Sequence, residues 1–219
     1  MTASIILLTG FEPFGGEAIN PSWEITRALD GWTGPGFVVR TARLPCVFGD
    51  AIQRLDAALD EWRPTLVLCL GQAGGRDGIS IERAALNVDD ARIPDNAGRQ
   101  PIDDAVVAAG PAAYFSTLPI KAVVRDLRAA GIAAAVSNTA GTFVCNHVFY
   151  GLMHRLATSP GLSGSRGGFV HVPYLPEQAA GRPGAPSMTL VSQVEALRVT
   201  LRSALTTHGD IRETGGQTH

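Results

Sequence analysis

Apolar positions recur along this chain in two ways. Short, wholly apolar runs read as strands buried on both faces, and apolar residues spaced three and four apart read as helices. Residues 5–8 form the first apolar run, which stops at Thr9-Gly10 and predicts a buried strand. Asn20-Pro21 then reads as an N-cap followed by proline at the first helical position, predicting a helix over residues 21–29. Residues 37–42 predict a second strand. In residues 48–62 the positions Ile52, Leu55, Ala58 and Leu59 make a helical stripe, which Arg63-Pro64 closes. Residues 65–70 are apolar almost throughout and predict a central parallel strand. Residues 79–86 alternate less cleanly and predict an outer strand. Residues 87–101, rich in Asp, Asn, Gly and Pro, read as a long loop, a feature often functional in compact domains. Residues 120–130, 145–156 and 188–205 read as helices, and residues 132–137 and 168–172 as buried strands.

Strands alternating with helices imply an α/β fold, here a single-domain three-layer α/β/α sandwich with a mostly parallel twisted sheet. The expected domain covers residues 1–206, followed by a polar, flexible tail over residues 207–219. Ligands of such sheets bind beyond the carboxyl ends of the strands. Residues 10–16, 71–76 and 138–145 each follow a strand and are expected to converge there.

Composition narrows the function classes. In 219 residues, 45% are hydrophobic, enough for a sizeable core, and the formal net charge is −2. Without a basic stripe there is no electrostatic footprint for nucleic acid. No apolar run reaches the roughly 18 residues that a membrane helix needs. The opening MTASIILLTGFEPFGG lacks a basic flank and runs into a Gly/Pro turn, so it reads as a first strand rather than a leader. Three cysteines cannot all pair, which suits a reducing cytoplasm. HExxH, paired CxxC and EF-hand patterns are lacking, so no metal and no cofactor is expected.

Cys145 is the most informative position, because it opens a predicted helix. Free N–H groups and the helix dipole at such a site favour thiolate, lowering the cysteine pKa, and can hold a developing oxyanion. Against this stands the ordinary reading of a free cysteine as an inert core residue. That reading is kept for Cys69, inside an apolar strand; Cys46 has no assigned role. A thiol nucleophile needs a base and a group to orient it. Residues two apart on a helix do not face each other, so His147 is a poor partner for Cys145. His154 lies further along the same helix, and His208 and His219 fall in the tail. His171 stands at the carboxyl end of a strand, where an α/β site belongs, although core histidines are common in such strands. Glu82, between apolar neighbours, is the candidate orienting carboxylate; the alternative is an edge-strand group paired with Arg83. Asp89 and Asp90 read as a solvated loop pair. The segment from Gly10 to Gly16 is not a phosphate loop by pattern, and Phe11 and Phe14 in it suit an apolar, ring-shaped ligand.

Longer motifs carry a resemblance. Thr9-Gly-Phe-Glu-Pro-Phe-Gly-Gly16 with Asn20-Pro-Ser-Trp23, Gly71-Gln-Ala-Gly-Gly-Arg76 with Ile81-Glu-Arg83, and Asn87-Val-Asp-Asp-Ala-Arg-Ile-Pro-Asp-Asn96 resemble signatures of the pyroglutamyl peptidase I (pyrrolidone carboxyl peptidase) family. So do Ser137-Asn-Thr-Ala-Gly-Thr-Phe-Val-Cys-Asn-His147 and Phe169-Val-His-Val-Pro-Tyr-Leu-Pro-Glu-Gln178. The blocks stand in family order and span most of the chain. The resemblance implies a cysteine peptidase that hydrolyses the amide bond after an N-terminal pyroglutamyl residue through a thioester acyl-enzyme. It implies Cys145, His171 and Glu82 as catalytic residues, and Arg92 with the Cys145 N–H as oxyanion donors. It places Phe11, Phe14, Ile93, Phe143 and Val144 around the ring and Gln72 on the lactam. It further implies a cytoplasmic homodimer or homotetramer with pyroglutamyl peptides as its partners. Two rival readings are a nucleoside phosphorylase-like enzyme, which needs a phosphate site and no essential cysteine, and an inactive pyroglutamyl-binding module.

Overall fold

The computed structural model describes residues 3–216. Residues 1–2 of the expected first segment and residues 217–219 of the expected tail, His219 among them, lie outside the described residues. Strands β1 (Ser4–Phe11), β2 (Thr33–Gly34), β3 (Phe37–Leu44), β4 (Leu66–Gln72), β5 (Ile79–Leu86), β6 (Ala113–Phe115), β7 (Ala134–Thr139) and β8 (Arg166–Val172) form one sheet. Helices α1 (Pro21–Ala28), α2 (Asp50–Trp62), α3 (Ile120–Ala129), α4 (Val144–Thr158), α5 (Pro176–Ala179) and α6 (Leu190–Thr206) complete the chain.

The strand order is β2-β3-β1-β4-β8-β5-β6, with β7 paired to β5. The ladders β1–β3, β1–β4, β4–β8 and β5–β7 are parallel, whereas β2–β3, β5–β6 and β5–β8 are antiparallel. The chain leaves β1 for β3 on one side and returns to β4 on the other. That reversal opens a crevice beyond the carboxyl ends of β1 and β4, the usual place for a ligand. Two apolar layers sandwich the sheet. Ile6, Leu8, Leu68, Leu70, Ile81 and Val170 pack against α1, α3 and α6. Leu7, Val67, Cys69 and Phe169 face the opposite way, toward α2 and α4. Alternation along each strand thus supplies both cores.

Local signals act as expected at α1, where Asn20 accepts from the Ser22 N–H at 3.1 Å and proline leads the helix. Helix α2 stops at Arg63, which is left-handed (φ 43°), just before Pro64. The region 79–86 differs from expectation. β5 is an interior strand, bonded to β7 along one edge and to β8 and β6 along the other. Its broken alternation comes from Ser80 and Glu82, which are polar yet buried. β7 takes the outer position instead, with partners only on β5 among the described residues. β2, β6, α5 and a 3₁₀ turn over Pro160–Leu162 escaped the sequence reading because they are too short for a period to show.

Residues 207–216 follow α6 without forming a helix or strand. Asp210 Oδ1 accepts from the Lys121 and Ala122 N–H groups at 3.1 and 3.0 Å, capping α3, whose own N-cap position offers no side-chain bond.

Candidate active site

Alternation places Ser80 and Glu82 on β5 and Phe169 and His171 on β8 toward the α2–α4 layer. Ser80 pairs with His171 across the β5–β8 ladder, which brings Glu82 alongside the imidazole. His171 Nδ1 bonds Glu82 Oε1 at 2.7 Å, and both residues are buried. Arg76, in the turn after β4, donates to the same oxygen at 2.7 Å. Burial raises the Glu82 pKa, but the His171 hydrogen bond and the charges of His171 and Arg76 outweigh it and leave the carboxyl below its ordinary value. Arg83, the alternative partner, turns away to Asn138 Oδ1 (3.0 Å) and the Gly215 carbonyl (2.5 Å).

Cys145 approaches from α4. Gly71 on β4 is the register partner of His171, and a Cβ placed on Gly71 would lie 2.8 Å from Cys145 Sγ and 2.8 Å from the Phe169 ring. The sulfur therefore sits on the β4–β8 ladder at the level of His171. Cys145 is the second residue of α4, so its N–H has no carbonyl partner within the helix. No side chain caps α4, in contrast to α1 and α6, which Asn20 and Thr189 cap. These N–H groups remain free to meet an anion.

One electrostatic expectation meets an opposing effect. The Cys145 pKa is raised, chiefly by burial and further by Cys46 and Glu82, with Arg76 opposing. This desolvation opposes the lowering that the start of α4 favours. Cys46 and Cys69 are buried free thiols, each pushed up to about 12 mainly by burial.

A cavity of about 210 Å³ opens beside the start of α4, lined by Phe14, Asp90, Arg92, Ile93, Thr142 and Phe143. It collects four of the expected substrate residues. Phe11 is elsewhere: it ends β1, is 2% exposed, and its ring lies 6.4 Å from that of Phe169. Val144 is fully buried in the same core. Gln72 ends β4 and its Oε1 accepts from Gln178 Nε2 at 2.9 Å. Neither Gln72 nor Val144 is among the cavity's lining residues.

Several supporting residues were not singled out from sequence. Glu12 Oε1 accepts from the Cys46 N–H (3.1 Å) and from Asn96 Nδ2 (2.8 Å), clipping the 10–16 turn to the long loop. Asn146, fully buried, bonds the N–H and carbonyl of Leu86 and the carbonyl of Val88. Asp89, read as solvated, is buried and bonds His147 at 2.7 Å. The signal for these was faint: polar residues inside family-like blocks, with distant partners. Among the described residues, no group of three or more His, Cys, Asp or Glu side chains is placed to hold a metal ion.

An open, mainly parallel α/β sheet with a thiol, an imidazole and a carboxylate gathered at its carboxyl edge is the layout of an α/β thiol hydrolase. The family model for pyroglutamyl peptidase matches residues 4–207, and the chain belongs to that family. It is 64% identical over 215 residues to the pyrrolidone-carboxylate peptidase of Cupriavidus taiwanensis, covering 98% of this chain and 99% of the relative. The corresponding figures for pyrrolidone-carboxylate peptidase 1 of Photorhabdus laumondii are 56% identity, 98% and 99%. Among solved structures, the pyroglutamyl peptidase I of Bacillus amyloliquefaciens superposes with a TM-score of 0.93 at 44% identity, covering 97% of this chain and all of that one. A mutant pyrrolidone carboxyl peptidase of Pyrococcus furiosus gives 0.89 at 44% identity, covering 92% and 98%.

Proposed function

We propose that this pyroglutamyl peptidase works through Cys145, His171 and Glu82. The observation carrying this reading is the buried 2.7 Å His171–Glu82 bond beside the ladder position on which the Cys145 sulfur rests. Glu82 holds Nδ1 of the imidazole, which leaves Nε2 to work on the thiol. The nucleophile forms by proton transfer from the Cys145 thiol to His171, and the sulfur attacks the pyroglutamyl carbonyl. The tetrahedral oxyanion is met by the free N–H of Cys145, with Arg92 as a second donor. Collapse breaks the amide bond, and the imidazolium protonates the leaving amine. Water, deprotonated by His171, then hydrolyses the thioester.

The cavity supplies apolar walls for the lactam ring from Phe14, Phe143 and Ile93, and polar edges from Thr142 and Arg92. A protonated α-amino group gains little there: the one carboxylate in the lining, Asp90, is exposed to solvent. Three unpaired thiols support a reducing cytoplasm as the working compartment. No helix among the described residues is long and apolar enough to cross a membrane. A homodimer or homotetramer is part of the proposal, and light scattering should return that multiple of 23.0 kDa.

The test is hydrolysis of a pyroglutamyl-coumarin amide beside its prolyl and glutamyl counterparts. The pyroglutamyl compound should be cleaved in strong preference. Cys145→Ser should abolish turnover with the fold retained, and His171→Ala should be far more damaging than His154→Ala. Full activity in Cys145→Ser would end the proposal.

A further inference from the structure

His147 is a buried imidazole that the proposed chemistry does not use. Its Nδ1 lies 2.7 Å from Asp89 Oδ2, and the Gly49 N–H donates to its Nε2 at 2.9 Å. A backbone N–H can only donate, so Nε2 is the acceptor and the ring proton sits on Nδ1, directed at Asp89. Both nitrogens are therefore occupied within the protein, and His147 has no free atom for a substrate.

What the ring joins is informative. On one side stands Asp89, whose segment is laced to the start of α4: Asn146 holds residues 86 and 88, and Thr142 exchanges two bonds with Asp90 (2.9 and 2.8 Å). The same segment continues directly to the cavity residues Arg92 and Ile93. On the other side stands Phe48-Gly49, leading into α2. The Phe48 N–H donates to Asp95 Oδ2 at 2.9 Å, and its carbonyl accepts from Arg99. The Phe48 ring packs edge-on against His147 (5.3 Å, 80°) and against the cavity wall Phe143 (5.4 Å, 89°). His147 thus ties the segment that leads to Arg92 and Ile93 to Phe48, whose ring packs edge-on against the cavity residue Phe143.

We propose that the His147–Asp89 pair is a positioning strut that sets the width of the substrate cavity and with it the preference for a five-membered lactam. The inference rests on the proposed function of that cavity. Removing the strut lets the Arg92–Ile93 arm and Phe143 separate, so a tight-fitting ring loses contact while a larger one becomes acceptable. Among the described residues, the hydrogen bonds of His147 and Asp89 do not run to Cys145, His171 or Glu82, so thiol reactivity should be unaffected.

The experiment compares wild type with His147→Ala, His147→Gln and Phe48→Leu. Kinetics are measured on pyroglutamyl-coumarin amide and on its six-membered-lactam homologue, with iodoacetamide alkylation of Cys145 in parallel. In His147→Ala, KM for the pyroglutamyl compound should rise about tenfold and its advantage over the larger ring should shrink about tenfold, the scale of a one-methylene discrimination. Alkylation should stay within about twofold of wild type. His147→Gln can still accept from Gly49 and should recover part of the selectivity. Phe48→Leu, which leaves both His147 bonds in place, should relax ring selectivity in the same direction. Unchanged KM and ring selectivity in the His147 variants would overturn the proposal. So would alkylation falling in step with turnover, because His147 would then act through the thiol. Should His147→Ala not fold, His147→Gln and Phe48→Leu decide. A wild-type protein that is alkylated but cleaves no pyroglutamyl amide would instead refute the proposed function.

Discussion

At the scale of single residues, the position that most constrains the site is one without a side chain. Gly71 is not in the left-handed region, so its backbone does not demand glycine; the space above it does. A methyl there would stand 2.8 Å from both Cys145 Sγ and the Phe169 ring, well inside van der Waals contact. Gly71→Ala should displace the sulfur from its seat beside His171 and cut kcat about 100-fold, since small misplacements of reacting groups cost large rate factors. Adding Phe169→Leu removes the ring contact but not the sulfur contact, so the double variant should stay slow. Recovery of kcat in that double variant, followed by steady-state assay, would show that the clash lies in core packing rather than at the nucleophile. Cys145 itself was legible from sequence as a nucleophile candidate through its helix-opening position together with the family-like motif around it. Its raised pKa was not legible, because desolvation depends on what Gly71, Phe169 and Cys46 bring around it.

At the scale of elements, the same turn splits into two physical roles. Phe11 is the last residue of β1 and belongs to the core beneath the sheet, whereas Phe14, three residues later, is in the turn and borders the cavity. Phe11→Ala should therefore cost about 3–5 kcal/mol of stability. At this chain length that corresponds to a melting temperature lower by roughly 6–20 °C. Its KM should change little in the protein that remains folded. Phe14→Ala should melt near wild type while kcat falls and KM rises. Thermal scans run beside kinetics separate the two, and the reverse pattern would exchange the roles. Most helices and strands were readable because each has a period, a cap or a stop: Asn20-Pro21 for α1, Arg63-Pro64 for α2, the apolar run of β4. β5 reads as outer in sequence because Ser80 and Glu82 break its alternation; both are buried, and Glu82 meets His171 and Arg76 inside the protein.

At the scale of the whole molecule, a buried carboxylate couples the site to global stability. Glu82 is fully buried, and His171 and Arg76 hold its pKa below the ordinary 4.5. A group whose pKa is lower folded than unfolded stabilises the fold above the unfolded value, and that stability is lost as pH falls through the folded value. The melting temperature should accordingly fall below about pH 4.5, and Glu82→Gln should fall less steeply over the same range. Parallel curves for the two proteins would remove Glu82 from the acid response. The sequence by itself determined the class of fold and the order of its main elements, and its family-like motifs implied the three residues expected to carry the chemistry. These follow from local periodicity and from motifs that lie within single segments. Only the tertiary structure decided which Phe reaches the cavity, that β5 is interior, that Asp89 is buried against His147, and that the surroundings of Cys145 raise its pKa. Each of these depends on contacts between residues tens of positions apart, such as Glu82 with His171, Gly71 with Cys145 and Gly49 with His147. Burial and hydrogen bonding across such separations are set when the layers close, and no short-range pattern encodes them.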